Sequence, residues 1–531
     1  MRSEIAGLLL IAVIGMLVYG NTLNHQFVYD DEFLIQRNPL IKGPGLSKEL
    51  FSENIRYGAG KETNAYRPLQ MLSYRIDYFF WGLNPTGYHL ANILLHILAA
   101  AAVYLLIKAL FFDELAAFLT ALLFIAHPIH TEAVSYISGR ADPLSALFII
   151  LGLYFYIRHQ RSNFGAFYYA CLAAYLLALF SRESSLIFLL LLPLVDYFCG
   201  NNIRLQFKKY IAPAALSLLY LILRIYIVAI PTQTKHYVPT TLIQRLPGIF
   251  CSITDYLRLL ILPLNLHMEY VMRLCPAFSL KTVSGIAILV FSLTFAFKSL
   301  KRRPEAAFAI LWFWIAFIPV SNIFALNAFM AEHWMYLPSI GIFFLAGRGL
   351  SKLLVKEGRI KTGAIVFTAA LVLFYGGMTI YQNRFWREAF TLYQRILEFS
   401  PQSSRVHNSL GAVYFYRREY DHAEKEFKQA AAIKPGYADA YNNLGCVYTQ
   451  KKMHREALKA HLEAVELNPA SANFYANLGN AYLMLGDGAK AKQALEQALA
   501  LYQRKGDEVI AARLEGFIAA KFDQIREDKG K

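Results

Sequence analysis

Apolar residues gather in eleven runs, near 5–20, 88–111, 115–128, 143–158, 165–181, 185–199, 209–230, 283–299, 305–325, 337–354 and 361–381. Runs of this character predict membrane-crossing helices, the shorter ones drawing on flanking polar residues to reach the ~20 residues a bilayer needs. The stretch 247–264 is amphipathic instead and predicts a re-entrant or interfacial helix. Basic clusters "RHQR" (158–161), "RLQFKK" (204–209), "KSLKRR" (298–303) and "KEGRIK" (356–361) separate some of the runs and read as cytoplasmic. The segments "HPIHTEAVSYISGRAD" (127–142), "SRESS" (181–185) and "NAFMAEHWMY" (327–336) are poor in Lys and Arg, so they read as extracytoplasmic. With the N-terminus inside, the loop after the first run falls on that same outer face. Only Arg2 precedes the first run and no small-residue cleavage site follows it, which predicts an uncleaved first span.

Beyond about residue 382 the pattern changes to a repeat. Leu-Gly recurs at 410–411, 444–445 and 478–479, a period of 34 residues that Tyr414, Tyr448 and Tyr482 share. Ala423, Ala457 and Ala491 keep it, as do Ala430, Ala464 and Ala498, while Pro435 and Pro469 close two units and Gln503 stands in the third. This is the tetratricopeptide helix–turn–helix pattern, with small residues where two helices touch. The whole predicts an all-α chain. A polytopic membrane helix bundle of about eleven spans occupies 1–382, with a first external loop at 21–87. A half unit follows at 383–403, then units 404–437, 438–471 and 472–505, and a capping helix and tail at 506–531. An odd number of spans places the repeats outside, where they are expected to bind a protein or peptide in a concave groove.

Composition agrees with a membrane body: 56% of the 531 residues are hydrophobic, and the mean hydropathy is +0.35. The net charge of +16 lies largely in short clusters between apolar runs, so it does not predict a nucleic-acid partner. The five cysteines, Cys171, Cys199, Cys251, Cys275 and Cys446, form no CxxC and suggest neither a disulfide framework nor a zinc site.

Ionisable groups at a membrane face are costly and therefore candidates for function. Asp30 and Asp31, in "FVYDDEFLIQRN" (27–38), are a candidate general base and its neighbour. The plainer reading is a solvated acidic loop that caps a helix near Glu32. His89, Asn92 and His96 share one helical face, and Arg67 and His89 are candidates for ligand contact. In the 127–142 stretch, His127, His130 and Glu132 are candidate donor-phosphate or substrate contacts; a metal site on them is the other reading, against which Pro128 spoils the helical geometry. Arg140 is the first choice for holding a lipid-linked phosphate, since a guanidinium fork matches phosphate oxygens. Arg182 and Glu183 are a second phosphate contact or a self-satisfied ion pair. Glu332 and His333 are a substrate contact or a structural clasp.

Several stretches together carry a resemblance: "YDDEFLIQRNPLI", "YRPLQMLSY", "GYHLANILLH", "HPIHTEAVSYISGRADPLSALF", "SRESSLIFLLLLPLVDY", "DYLRLLILPLNL" and "AEHWMYLPSIG". Followed by the repeats, they closely resemble the transmembrane and tetratricopeptide-repeat O-mannosyltransferases, of the C-type glycosyltransferase fold. The resemblance implies transfer of a sugar from a polyprenyl phosphate to a Ser or Thr hydroxyl of a protein. It also implies an acidic catalytic centre in the first external loop, which here falls on Asp30 and Asp31. The short repeat array departs from the animal members and looks like a bacterial or archaeal relative in its inner or plasma membrane.

The expected mechanism is a single displacement with inversion. One carboxylate takes the acceptor proton while Arg140, helped by Arg67 or Arg182, offsets charge on the leaving phosphate. No cofactor is required; a divalent ion bridging Asp30 and Asp31 is the alternative. Two rivals stand beside this: transfer of the lipid-linked sugar to lipid A or a surface glycan, and a non-catalytic scaffold or transporter with a docking tail.

Overall fold

The computed structural model describes residues 2–43, 48–55, 65–228, 241–270, 276–326, 328–504 and 506–530. Cys275, Asn64 and Asn327 lie outside them. Every regular element among the described residues is helical. The chain divides into two compact units, Met1–Thr391 and Leu392–Lys531.

Each of the eleven apolar runs holds a helix among its described residues, but they are not equal. Among the described residues, six helices are long and apolar enough to cross a membrane, within Glu4–Asn24, Pro85–Phe111, Ile137–Ser162, Ile203–Ile227, Leu280–Ser299 and Gly358–Trp386. Glu114–Ala126 and Pro128–Val134 add a seventh if their 54° bend is one broken span. Helices Phe188–Phe198 and Ser339–Leu354 have 11 and 16 residues. At about 1.5 Å per residue they are shorter than a hydrocarbon core of ~30 Å. Apolar run length alone therefore overstates how many helices can each span by themselves. The amphipathic helix is Leu242–Ile261, closed at its start by a capping box between Thr241 and Gln244.

The first external loop is also more structured than its polar content suggests. Helix Pro68–Trp81 runs through it, started by proline in the first turn, and it buries Gln70, Arg75 and Asp77 alongside Met71 and Tyr74. A small apolar cluster, including Leu34, Ile35, Leu40, Ile41, Met71, Tyr74, Tyr88 and Ile137, joins this helix to the segment after the acidic pair. Helix Pro85–Phe111 follows, capped where the Asn84 side chain accepts from the Thr86 N–H at 3.1 Å.

In the second unit each 34-residue repeat holds two helices. These are Ser404–Tyr416 and Tyr420–Ile433, Ala438–Gln450 and His454–Leu467, then Ala472–Met484 and Gly488–Arg504, with Glu508–Gly530 after them. The recurring glycine permits the close approach within a pair: a Cβ at Gly445 would lie 2.5 Å from the His461 ring. The boundary falls after Thr391, inside helix Ala389–Phe399, and not at residue 382. Trp386 and Arg387, expected in the repeat half unit, belong to the membrane unit because the turn at 384–387 is packed on its loops.

Candidate active site

The acidic pair sits on a tight turn. Tyr29 has a φ of 55°, the left-handed region that side chains seldom adopt, and the Asp31 N–H donates back to the Val28 carbonyl at 3.1 Å. This turn gives the two neighbouring carboxylates different burial. Asp31 is fully buried. Its Oδ2 accepts the Val28 N–H at 2.9 Å, and its Oδ1 accepts both the N–H of Ser138, at 2.9 Å, and the Ser138 hydroxyl. Burial pushes its carboxyl up to about 7, against the lowering effect of the Ser138 and Val28 donors; the charge of Asp30 adds to the rise. Asp30 is half-buried. Its backbone N–H donates to the Tyr136 hydroxyl at 3.2 Å, and its carbonyl accepts from Phe33 and Leu34 at the start of the next short helix.

Ser138 is held from behind. Gln70 donates to the Ser138 carbonyl at 3.1 Å and to the Tyr74 hydroxyl at 2.9 Å, and that hydroxyl reaches the Ile137 carbonyl at 3.1 Å. Asn92 donates to the carbonyls of Val134 and Tyr136. Gly139 is required by proximity: a Cβ there would stand 2.4 Å from the Glu132 carbonyl oxygen. The segment 134–140 is thus the rear wall of the acidic turn.

Arg140 belongs to that wall. Only 1% exposed, its guanidinium pairs with Asp77 at 2.5 Å. It also donates to Asn92 at 2.6 Å, to the Tyr88 carbonyl at 2.9 Å and to Ser73 at 3.2 Å. An incoming phosphate would have to displace these buried partners, so the structure gives the first-choice phosphate contact a framework position instead.

Arg67 and Arg182 lie nearer the surface. Arg67 pairs with Glu183 at 3.2 Å, with side chains 21% and 25% exposed. Arg182 pairs with Asp142. Glu183 also accepts the Tyr66 N–H at 3.3 Å. Burial would raise the Glu183 carboxyl, but Arg67, Arg182 and Arg224 bring it below the usual range. The guanidinium groups of Arg67, Arg182 and Arg224 all act on the Glu183 carboxylate, and Asp142 pairs with Arg182. Arg67 stands immediately before helix Pro68–Trp81, one turn ahead of the Gln70 that braces Ser138.

Among the described residues the histidines do not assemble a metal centre. His127 accepts the Ile129 N–H on Nδ1 at 3.2 Å and faces the Leu260 carbonyl with Nε2 at 3.1 Å, so both nitrogens are occupied. His130 is buried among Phe124, Tyr336 and Phe343. Glu132, buried, accepts the His333 N–H at 3.0 Å and has its other oxygen 2.9 Å from His333 Nδ1. Glu332, buried, accepts the His267 N–H at 2.6 Å and the Tyr270 hydroxyl at 2.7 Å. Both acids clasp one loop to another. His89 is buried with its ring edge-on to His25, at 5.8 Å between centroids, inside the bundle. Among the described residues no group of three His, Cys, Asp or Glu is placed to hold a metal ion. Four cysteines, Cys171, Cys199, Cys251 and Cys446, are free thiols.

Sequence reasoning passed over Ser138, Tyr136, Gln70, Asp77 and Trp386. Their only signal was position inside or beside the quoted motifs. A serine that holds a carboxylate over a hundred residues away leaves no periodic trace.

Residues 42–238 match the family described as dolichyl-phosphate-mannose-protein mannosyltransferase. Residues 438–471 and 462–493 match tetratricopeptide repeats. Among curated relatives, a protein O-mannosyl-transferase of Caenorhabditis elegans is 26% identical over 82% of this chain and 64% of its own length. Protein O-mannosyl-transferase tmtc2 of Xenopus laevis is 26% identical over 81% of the chain and 63% of its own length. Protein O-mannosyl-transferase TMTC1 of Homo sapiens is 27% identical over 77% and 54% respectively. The chain spans between about half and two-thirds of the length of these relatives.

Proposed function

Starting from a mannosyltransferase-family domain joined to tetratricopeptide repeats, we propose that this chain transfers a mannose-like sugar from a polyprenyl-phosphate donor to Ser or Thr hydroxyls of a protein. The observation that carries the reading is the asymmetry of the acidic pair. Asp31, sealed by three donors, cannot meet a substrate without leaving its cradle. Asp30, half-buried on the same turn, can.

Asp30 is then the base and Asp31 the positioning residue. The acceptor hydroxyl gives its proton to the Asp30 carboxylate while its oxygen bonds to the anomeric carbon. The bond from that carbon to the phosphate oxygen breaks on the opposite side, which inverts the centre, and lipid phosphate leaves with the electron pair. The cluster of Arg67, Arg182 and Arg224 guanidinium groups favours a phosphate near the membrane face. The basic loop clusters support an outward-facing site, and the repeats would hold the acceptor and raise its local concentration.

The test uses purified full-length protein, polyprenyl-phosphate mannose and a Ser/Thr-rich protein acceptor. Asp30→Asn should lower kcat by about 10²-fold or more with folding retained, the scale of a lost general base. Wild-type turnover by Asp30→Asn overturns the base assignment. Transfer to lipid or glycan, but not to protein, that survives deletion of 404–531 overturns the acceptor.

A further inference from the structure

The turn after helix Gly358–Asn383 packs on the rear wall of the acidic turn. Trp386, 1% exposed, stacks on Tyr136 with ring centroids 5.4 Å apart and planes 20° from parallel. The hydroxyl of that tyrosine is the acceptor for the Asp30 backbone N–H. Its ring also meets Tyr29, the residue with left-handed backbone, at 6.2 Å. One residue further, the Arg387 carbonyl accepts the Gln26 N–H at 2.9 Å.

The base of this turn is fixed. Asn383, fully buried, donates to the Val18 carbonyl at 3.0 Å and to Asn21 at 2.8 Å, and accepts the Ser135 hydroxyl at 2.7 Å. The Trp386 indole N–H is buried with no acceptor among the described residues, so ring stacking rather than a hydrogen bond holds the side chain. A buried indole left without an acceptor carries a cost in stability. A smaller apolar residue would fill a packing role without it.

We propose that Trp386 is a positioning residue for Asp30: through the Tyr136 ring and hydroxyl it fixes the strained turn that presents the base. The proposal rests on Asp30 being the base, but its geometry can be read without turnover. A left-handed Tyr29 persists only while its surroundings hold it, and the Tyr136 ring and the Gln26–Arg387 bond do so from two sides. Loss of the indole lets the Tyr136 ring move, which removes the acceptor from Asp30 and frees the turn to relax.

The experiment uses full-length protein in detergent with Trp386→Ala, Trp386→Phe, Tyr136→Phe and the Trp386→Ala/Tyr136→Phe double variant. Hydrogen exchange across 27–38 should rise in Trp386→Ala and in Tyr136→Phe, while 404–504 keeps its protection. With polyprenyl-phosphate mannose and a protein acceptor, kcat should fall about tenfold or more in Trp386→Ala, with KM for the donor within twofold. Trp386→Phe, which keeps a ring for stacking, should restore most of the rate. The double variant should be little worse than the worse single one, since both break one chain of contacts. Unchanged exchange across 27–38 in folded Trp386→Ala overturns the proposal whether or not transfer is detected. Raised exchange with no transfer by the wild type leaves the positioning intact and removes the assigned reaction. Additive losses, or a KM effect in place of a kcat effect, also overturn it.

Discussion

Ser138 closes on Asp31 with both of its donors, the backbone N–H at 2.9 Å and the side-chain hydroxyl on the same carboxylate oxygen. Ser138→Ala keeps the first and removes the second from a fully buried carboxylate. A lost donor at a buried charged group costs about 1–3 kcal/mol. The Ser138→Ala protein should therefore melt at lower temperature. Its Asp31 carboxyl should titrate higher still, because the hydroxyl is the largest of the effects that lower it. Thermal melts at two pH values check both.

The elevated Asp31 carboxyl makes a pH prediction with a definite sign. Its value rises from 3.8 to about 7 on folding. Between those values the folded protein holds a proton that the unfolded chain has released, so stability falls as pH rises from about 4 through 7. Above 7 the penalty is complete. The membrane unit should thus melt at higher temperature at pH 5.5 than at pH 8, and Asp31→Asn should flatten that difference. A melting profile just as steep in Asp31→Asn assigns the effect to another group.

Gly139→Ala tests the rear wall through backbone alone. The new methyl would meet the Glu132 carbonyl oxygen at 2.4 Å and the Ala133 Cα at 3.0 Å, neither of which is a flexible tip. Overpacking of this kind costs about 1–3 kcal/mol. Because the neighbouring Ser138 moves with it, transfer should fall further than the loss of folded protein explains. Specific activity per folded molecule is the measurement.

How much of this was legible beforehand differs between fold and site. Apolar runs and the 34-residue period carry helix identity directly, since burying one face imposes a spacing. Span length was less legible: helix Ser339–Leu354 has 16 residues and carries Arg348 and Lys352 in its second half. Helix Pro68–Trp81 was hidden because Gln70, Arg75 and Asp77, polar residues that suggest a loop, are buried in it. At the site, adjacency drew attention to Asp30 and Asp31 together but could not separate them. What separates them is a positive φ at Tyr29 and a hydroxyl from Ser138, both properties of the folded chain.

Arg140 and Arg67 should part company under substitution, although both were candidates for one task. Arg140 is 1% exposed against 10% for its partner Asp77, so Arg140→Met leaves a carboxylate with little access to water. Breaking a buried pair from one side costs about 3–5 kcal/mol. The variant should express poorly, and Arg140→Met with Asp77→Leu should recover much of the loss by removing the stranded charge. Arg67 and Glu183 are 21% and 25% exposed, and Glu183 keeps the Arg182 and Arg224 guanidinium groups when Arg67 is removed. Arg67→Met should then fold normally, yet raise KM for polyprenyl-phosphate mannose about tenfold or more if the phosphate sits at its guanidinium. Melting temperature and donor KM, measured on the same two preparations, decide it. A folded, fully active Arg67→Met beside an unstable Arg140→Met would remove Arg67 from the donor site and leave Arg182 and Arg224 to be tested.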